Sequence, residues 1–328
     1  MADKINIGVD LGGTTIKMAL IDDAGKMVDK WAIATNTINN GSHIVAEIAD
    51  SIHKKMAEFG LSRSDVRGIG MGAPGFIDIK TGFVYKAVNI GWKDYALKDD
   101  LEKSTELPAI IENDANMAAL GEMWLGAGHG SKDMICVTLG TGVGAGIICH
   151  GDILHGVSGM AGEIGHMTVV TTKEGAPCNC GKKGCLETVS SATGIRRMGL
   201  EALDYNDSDS ILRHIFEQKG DISAEDVFNC AAENDQLSKA VADKAAYYLG
   251  YALGAVSFVI NPEKIVIGGG VSHAGDTLIK PLTAYFKKFS LPHVSDCCSI
   301  AVAQLGNDAG VIGGAWLVKN KIVQSHAA

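Results

Sequence analysis

Apolar residues along this chain follow two rhythms. Short runs at 5–9, 16–21, 66–71, 108–111, 134–139, 147–149, 264–267 and 300–303 are rich in Ile and Val, with Gly, Asn or Asp beside them, which predicts buried strands. Between them the spacing changes to three and four. Ile44, Val45, Ile48, Ile52, Met56 and Phe59 fall on one helical face, and Gly60 closes that helix. Leu237, Val241, Ala245, Tyr248, Ala252, Val256 and Val259 mark a longer helix that Pro262 ends. Further helices are expected at 115–125, 193–203, 210–218 and 223–234, after the glycines at 268–270, and from about 308 onward. Ser223-x-x-Asp226 opens one of them as a near match to a capping box. Strands alternate with helices, so the fold class is α/β.

One local pattern occurs twice. Strand, glycine-rich bend and strand appear around Asp10-Leu11-Gly12-Gly13-Thr14-Thr15 and again around Gly140-Thr141-Gly142-Val143-Gly144. The repetition implies duplicated architecture with a border near residue 115. Composition agrees with two medium domains: 328 residues, 46% hydrophobic, 20% charged and six prolines leave no place for long disorder. Net charge is −9 and no Lys/Arg block exceeds a pair, which excludes a nucleic-acid binder. No apolar run is long enough for a membrane helix. A strand-like segment that begins at residue 5 leaves no room for a signal peptide, and eight cysteines then point to a reducing compartment, the cytoplasm.

The two bends carry no bulky side chains, so their backbone N–H groups and hydroxyls suit phosphate oxygens. Asp10 is placed to hold Mg2+ through water, and Lys17 lies close in sequence. No Gly-x4-Gly-Lys-Ser/Thr sequence is present, which excludes a P-loop NTPase. Gly70-x-Gly72-x-x-Gly75 fits the dinucleotide fingerprint only as a string, because Pro74 interrupts it and a strand-like 76–78 follows where a helix must start. Asn113-Asp114 stands before a helix, and two readings stay open: an N-cap, or a general base with negative charge favoured at a helix N-terminus.

Glu163, His166, Cys178, Cys180, Cys185 and Glu187 form the densest cluster of chemistry. Three thiols and one imidazole complete a closed Cys3His set, so the expected metal is a structural Zn2+ held by His166, Cys178, Cys180 and Cys185. Gly181 and Gly184 let the chain curl back. The zinc does not need the flanking carboxylates Glu163 and Glu187. Cys136, Cys149, Cys230, Cys297 and Cys298 read as inert thiols, and His129, His150 and His155 as surface or core histidines.

Taken together, these residues resemble the ROK family of sugar kinases and regulators, along essentially the whole chain. Asp10-x-Gly12-Gly13-Thr14 and Gly140-Thr141-Gly142-Val143-Gly144 are similar to its two phosphate motifs, and Glu112-Asn113-Asp114 to its catalytic motif. Glu163-x-Gly165-His166 with the cysteine run and Glu187 is similar to its signature. Asn89-Ile90-Gly91-Trp92 is similar to a segment of the glucokinase branch.

The resemblance implies an actin/hexokinase-like (ribonuclease H-like) fold of two domains around a cleft. Residues 1–115 with a returning helix at about 308–328 would form the small domain, and 116–307 the large one. It implies ATP-dependent phosphorylation of glucose at O6, with Asp114 as catalytic base. Gly75, Asn89, Asn113, Glu163, His166 and Glu187 would contact the sugar. Gly12, Gly13, Thr14, Thr15, Lys17, Gly140, Thr141 and Gly142 would contact the ATP phosphates, with Mg2+ near Asp10. Gly268, Gly269 and Gly270 would lie against the nucleoside. Homodimers are usual in the family. Another hexose (N-acetylmannosamine, N-acetylglucosamine, mannose or fructose), polyphosphate as donor, and a sugar-sensing regulator are the alternatives that the resemblance leaves open.

Overall fold

The computed structural model describes residues 4–171 and 173–322, so the last residues expected in the terminal helix, 323–328, lie outside the described residues. The chain divides into two compact units. The first comprises Met1–Gly130, Ile153–Ala161 and Leu305–Ala328, and the second Ser131–Asp152 and Gly162–Gln304. The first unit thus runs past the border expected near residue 115.

In the first unit, β1 (Ile5–Leu11), β2 (Thr15–Ile21) and β3 (Met27–Ala34) make an antiparallel meander. A turn, α1 (Ile38–Gly41), and helix α2 (Ile44–Glu58) lead to β4 (Val66–Ala73), which pairs parallel with β1. The chain then builds a small antiparallel sheet of β5 (Phe76–Asp78), β6 (Phe83–Ala87) and β7 (Trp92–Tyr95). Helix α3 (Leu97–Thr105) precedes β8 (Ala109–Asn113), which pairs parallel with β4 and runs directly into α4 (Asp114–Leu125). A strand rather than a helix follows Gly75, as the rejection of a dinucleotide site requires. Ile7, Val9, Ile16 and Leu20 pack with Ile44, Ile48 and Ile52 of α2 in the main core.

The second unit repeats the plan. β9 (Met134–Leu139) and β10 (Val143–Cys149) form an antiparallel hairpin, followed by the short β11 (Asp152–Ile153). Helices α5 (Glu187–Ser190), α6 (Ala192–Tyr205), α7 (Ile211–Lys219), α8 (Ala224–Ala232) and α9 (Gln236–Ile260) come next. Ser223 and Asp226 make the full reciprocal capping box on α8. β12 (Lys264–Gly268) pairs parallel with β9, and after α10 (Asp276–Phe289) and α11 (Pro292–Cys297) β13 (Ser299–Val302) pairs parallel with β12. The sheet orders are β3-β2-β1-β4-β8 and β11-β10-β9-β12-β13. Each places a hairpin before two parallel additions, which is the duplication announced by the two bends. Among the described residues, no helix is long and apolar enough to cross a membrane.

Helix α12 (Ala309–Leu317) belongs to the first unit, where it packs on β1, β4 and α4. The contact is backbone on backbone. A Cβ placed at Gly8 would lie 1.9 Å from Val311 O, one at Gly70 2.1 Å from Gly314 O, and one at Gly313 1.9 Å from Met117 O. Those positions admit no side chain at all. It is this packing that carries α4 into the first unit. Gly8→Ala is expected to destabilise the protein by about 1–3 kcal/mol through overpacking, read as a lower urea midpoint; an unchanged midpoint would mean that α12 can move away without loss.

Candidate active site

The first unit presents two groups of polar side chains. At the β1–β2 hairpin, Asp10 and Lys17 are cross-strand partners, with Oδ2 and Nζ 3.7 Å apart. Lys17 Nζ also donates to Asn307 Oδ1 at 3.3 Å, just ahead of α12. Burial pushes the Asp10 carboxyl up, against the pull of Lys17. A Cβ at Gly310 would come 2.9 Å from Asp10 Cγ, so only glycine leaves this carboxylate its space. The bend itself is closed by the Gly12 N–H donating to Thr15 O at 3.0 Å. The residue after β3 supports it from outside: the Thr35 hydroxyl donates to Gly12 O at 2.7 Å and its N–H to Thr14 O at 3.0 Å. Thr14 and Thr15 are exposed. Exposed Asn89 lies over the same bend, its Cβ 3.7 Å from where a Gly13 side chain would begin. Gly75 holds φ +106° between β4 and β5, where a Cβ would meet Lys86 O at 2.2 Å.

The second group lies where β8 becomes α4. Asn113 Oδ1 accepts the N–H groups of Ala115 (2.9 Å) and Asn116 (3.3 Å), so Asn113 is the N-cap. Asp114 is the first helical residue and is exposed. Behind it the buried Glu112 binds His155 Nε2 at 2.7 Å. His155 therefore has a specific partner, contrary to its reading as an unassigned histidine. Sequence spacing could not find this pair, because the residues are brought together only by the loop 153–161 folding with the first unit.

In the second unit, His166, Cys178, Cys180 and Cys185 offer ligand atoms that all lie within 4.8 Å of one another. Cys178 Sγ is 3.6 Å from His166 Nδ1, and Cys180 Sγ 3.6 Å from Cys185 Sγ. A tetrahedron of metal–sulfur bonds of about 2.3 Å has edges of about 3.8 Å, so the donor set fits a zinc ion. Gly181 (φ +88°) and Gly184 (φ +72°) make the curl, and the Cys178 N–H donates to Lys182 O to close it. Burial pushes the Cys178 thiol up to about 12 and Cys185 upward as well, while the Lys182 N–H draws Cys180 down. A bound cation reverses that burden on the thiolates.

Two carboxylates frame this loop. Glu163 Oε2 is 3.9 Å from His166 Nε2, the ring nitrogen other than the one facing Cys178. Glu187 opens α5; its Oε1 is 3.7 Å from Cys178 Sγ and its Oε2 accepts the Val143 N–H at 3.1 Å. A Cβ at Gly142 would fall 2.3 Å from Glu187 Oε2. The cysteine loop and the second glycine bend are thus joined through one side chain. That bend is also held by Ala192 N–H and Thr193 Oγ1 of α6, which donate to the carbonyls of Gly140 and Thr141.

A cavity of 340 Å3 opens beside it in the same unit, lined by Ala192, Ser223, Glu225, Phe228, Gly270 and His273 among others. Of the three glycines expected against a nucleoside, only Gly270 lines it. Gly268 ends β12, and Gly269, at φ +80°, makes the tight turn over Leu139 O. The contribution of α8 went unread because Ser223 signalled only a helix start.

A model of the ROK family matches residues 6–321. A glucokinase of Halalkalibacterium halodurans is 56% identical over 98% of this chain and 97% of its own length. The crystal structure of a ROK family glucokinase from Streptomyces griseus, in complex with glucose and AMPPNP, superposes with a TM-score of 0.75 at 32% identity, covering 95% of this chain and 98% of that one. A ROK family transcriptional regulator superposes with a TM-score of 0.85 at 28% identity, with 97% of this chain covered and 78% of that one. With the family model matched along nearly the whole chain, this chain belongs to the ROK family.

Proposed function

We infer that this chain transfers the γ-phosphoryl group of ATP to O6 of glucose. The single observation that carries the reading is its near-complete alignment with an enzyme named a glucokinase. The geometry supports the individual roles. Exposed Asp114, at the N-terminus of α4, accepts the proton of the sugar hydroxyl as that hydroxyl attacks phosphorus. Asn113 spends its carbonyl oxygen on the cap, which leaves its N–H2 for a sugar hydroxyl. In the second unit Glu163, His166 through Nε2 and Glu187 are the side chains suited to sugar hydroxyls; in the first, Asn89 and the Gly75 turn are the further candidates.

The glycine bends hold phosphate oxygens through the amides of Gly13, Thr14, Thr141 and Gly142. Gly12 and Gly140 act differently: their N–H groups close the bends, onto Thr15 O and Gly142 O. Thr15 adds its hydroxyl and Lys17 its charge. Asp10 is the carboxylate suited to Mg2+, and when bound the ion supplies positive charge to the phosphates. The 340 Å3 cavity suits the nucleoside, with Phe228 offering an aromatic surface and Gly270 a bare backbone. His166, Cys178, Cys180 and Cys185 would hold zinc, which fixes the loop and leaves Nε2 of His166 directed at the sugar. None of the eight cysteines is in a disulfide, which supports the cytoplasm as the compartment. Exposed Tyr251, Phe258 and Val259 along α9 support pairing with a second copy of the chain.

A coupled assay with glucose, mannose, fructose, N-acetylglucosamine and N-acetylmannosamine tests the substrate; a preference for any sugar but glucose would overturn the reading. Asp114→Asn is expected to lower kcat by at least about a hundredfold with an unchanged urea midpoint, and near-normal turnover would remove it as the base. Metal analysis is expected to find about one zinc per chain. Chelation should raise the KM for glucose before it changes nucleotide affinity, measured by fluorescent-nucleotide titration; active zinc-free protein would refute the metal assignment.

A further inference from the structure

Glu112 is 1% exposed, and burying a carboxylate is tolerated only where its oxygens are paired. Its Oε1 accepts the Asn113 N–H at 2.9 Å and Asn116 Nδ2 at 2.8 Å; its Oε2 lies 2.7 Å from His155 Nε2. An ionised carboxylate only accepts hydrogen bonds, so His155 presents a hydrogen on Nε2 and Asn116 must turn its amide nitrogen inward. That orientation leaves Asn116 Oδ1 buried with no hydrogen-bond partner. The fold keeps the Glu112 contact at that expense.

The donors are informative by position. Asn113 immediately precedes Asp114, and Asn116 lies on the same first turn of α4. Oε1 therefore holds the backbone just before Asp114 and the Asn116 side chain just after it, while Oε2 is gripped by a loop distant in sequence. We propose that Glu112 and His155 are positioning residues for phosphoryl transfer: the Nε2 hydrogen of His155 locks the Glu112 carboxylate, and Glu112 sets the placement of Asn113 and Asp114. Neither touches the reacting atoms in this scheme. The same imidazole pins the segment 153–161, so one contact ties that segment to the turn that carries the base within the first unit. The inference rests on Asp114 acting as the base.

The experiment compares His155→Ala and His155→Gln by steady-state kinetics, urea midpoint, and hydrogen exchange of the amides at 113–116 in the substrate-free protein. His155→Ala is expected to lower kcat about ten- to a hundredfold, with the KM for ATP within about twofold of the parent, and to speed exchange at 113–116. His155→Gln keeps an N–H donor and is expected to recover most of the rate. His155 also lines a cavity of 380 Å3 with Asp78, Lys80 and Tyr85, so free imidazole has room to enter the Ala variant and raise kcat saturably. A lowered midpoint with kcat intact would reduce the pair to a stabilising contact and overturn the proposal. So would a Gln variant as slow as the Ala variant and an Ala variant deaf to imidazole. Absence of sugar phosphorylation by the parent would sink the functional reading instead, and the exchange rates alone would then decide whether His155 holds the 113–116 turn.

Discussion

Helix α12 touches its neighbours through main chain rather than side chain, and the arrangement of the first unit depends on that contact. Gly8 and Gly70 bare the backbone of β1 and β4, Gly313 and Gly314 bare one face of the helix, and a Cβ at Gly121 of α4 would stand 2.1 Å from Ala309 O. Close-packed interiors do not yield to an added methyl group without displacing their surroundings. Because Asp10 immediately precedes Leu11, the end of β1, and α4 begins at Asp114, the helix that binds both elements also fixes the spacing of these carboxylates. Its approach supplies further anchors: Asn307 holds Lys17, and Asp308 forms a bidentate pair with Lys30 at 2.8 and 2.9 Å. Gly310 then leaves room for the Asp10 carboxylate.

The second unit uses a different device for a similar end. Its cysteine loop runs on irregular backbone, which by itself orders poorly. Curls at Gly181 and Gly184, isolated bridges such as Thr168 with Cys185, and the Lys182 ammonium on the His166 carbonyl (2.7 Å) tie the segment down. Glu187 then connects this segment to the β9–β10 bend through Val143. The cysteine loop and the second glycine bend therefore share one carboxylate.

Much of this was legible from residue order, for identifiable reasons. Continuous apolar runs gave β1, β2, β4 and β9, and the long stripe gave α9 almost to its ends. The cysteine spacing announced the donor set that the fold brings together. β3 escaped because its residues alternate strictly between half-buried and exposed, with Asp29 and Lys30 breaking any apolar run. α3 escaped because only Leu97, Leu101 and Thr105 are buried, a stripe too narrow to stand out. The Glu112–His155 pair lay beyond reach, since no local pattern connects a motif carboxylate to a histidine in a loop that changes units. The α8 side of the cavity was hidden for a similar reason: helix capping and ligand lining use the same residue types at Ser223.

The Gly8–Val311 contact also bears on how the chain is made. Its partners are separated by about three hundred residues, a closure that cannot form until residue 311 has been made. During synthesis β1 emerges early, but the helix that covers its glycine face emerges late. The second unit, contained within 131–304 apart from one excursion, has all of its strands available first. Translation would thus leave the sheet of the first unit with one bare face until α12 arrives, and a ribosome-bound chain would carry a finished cavity beside α8 before the carboxylates of the first unit are locked in place.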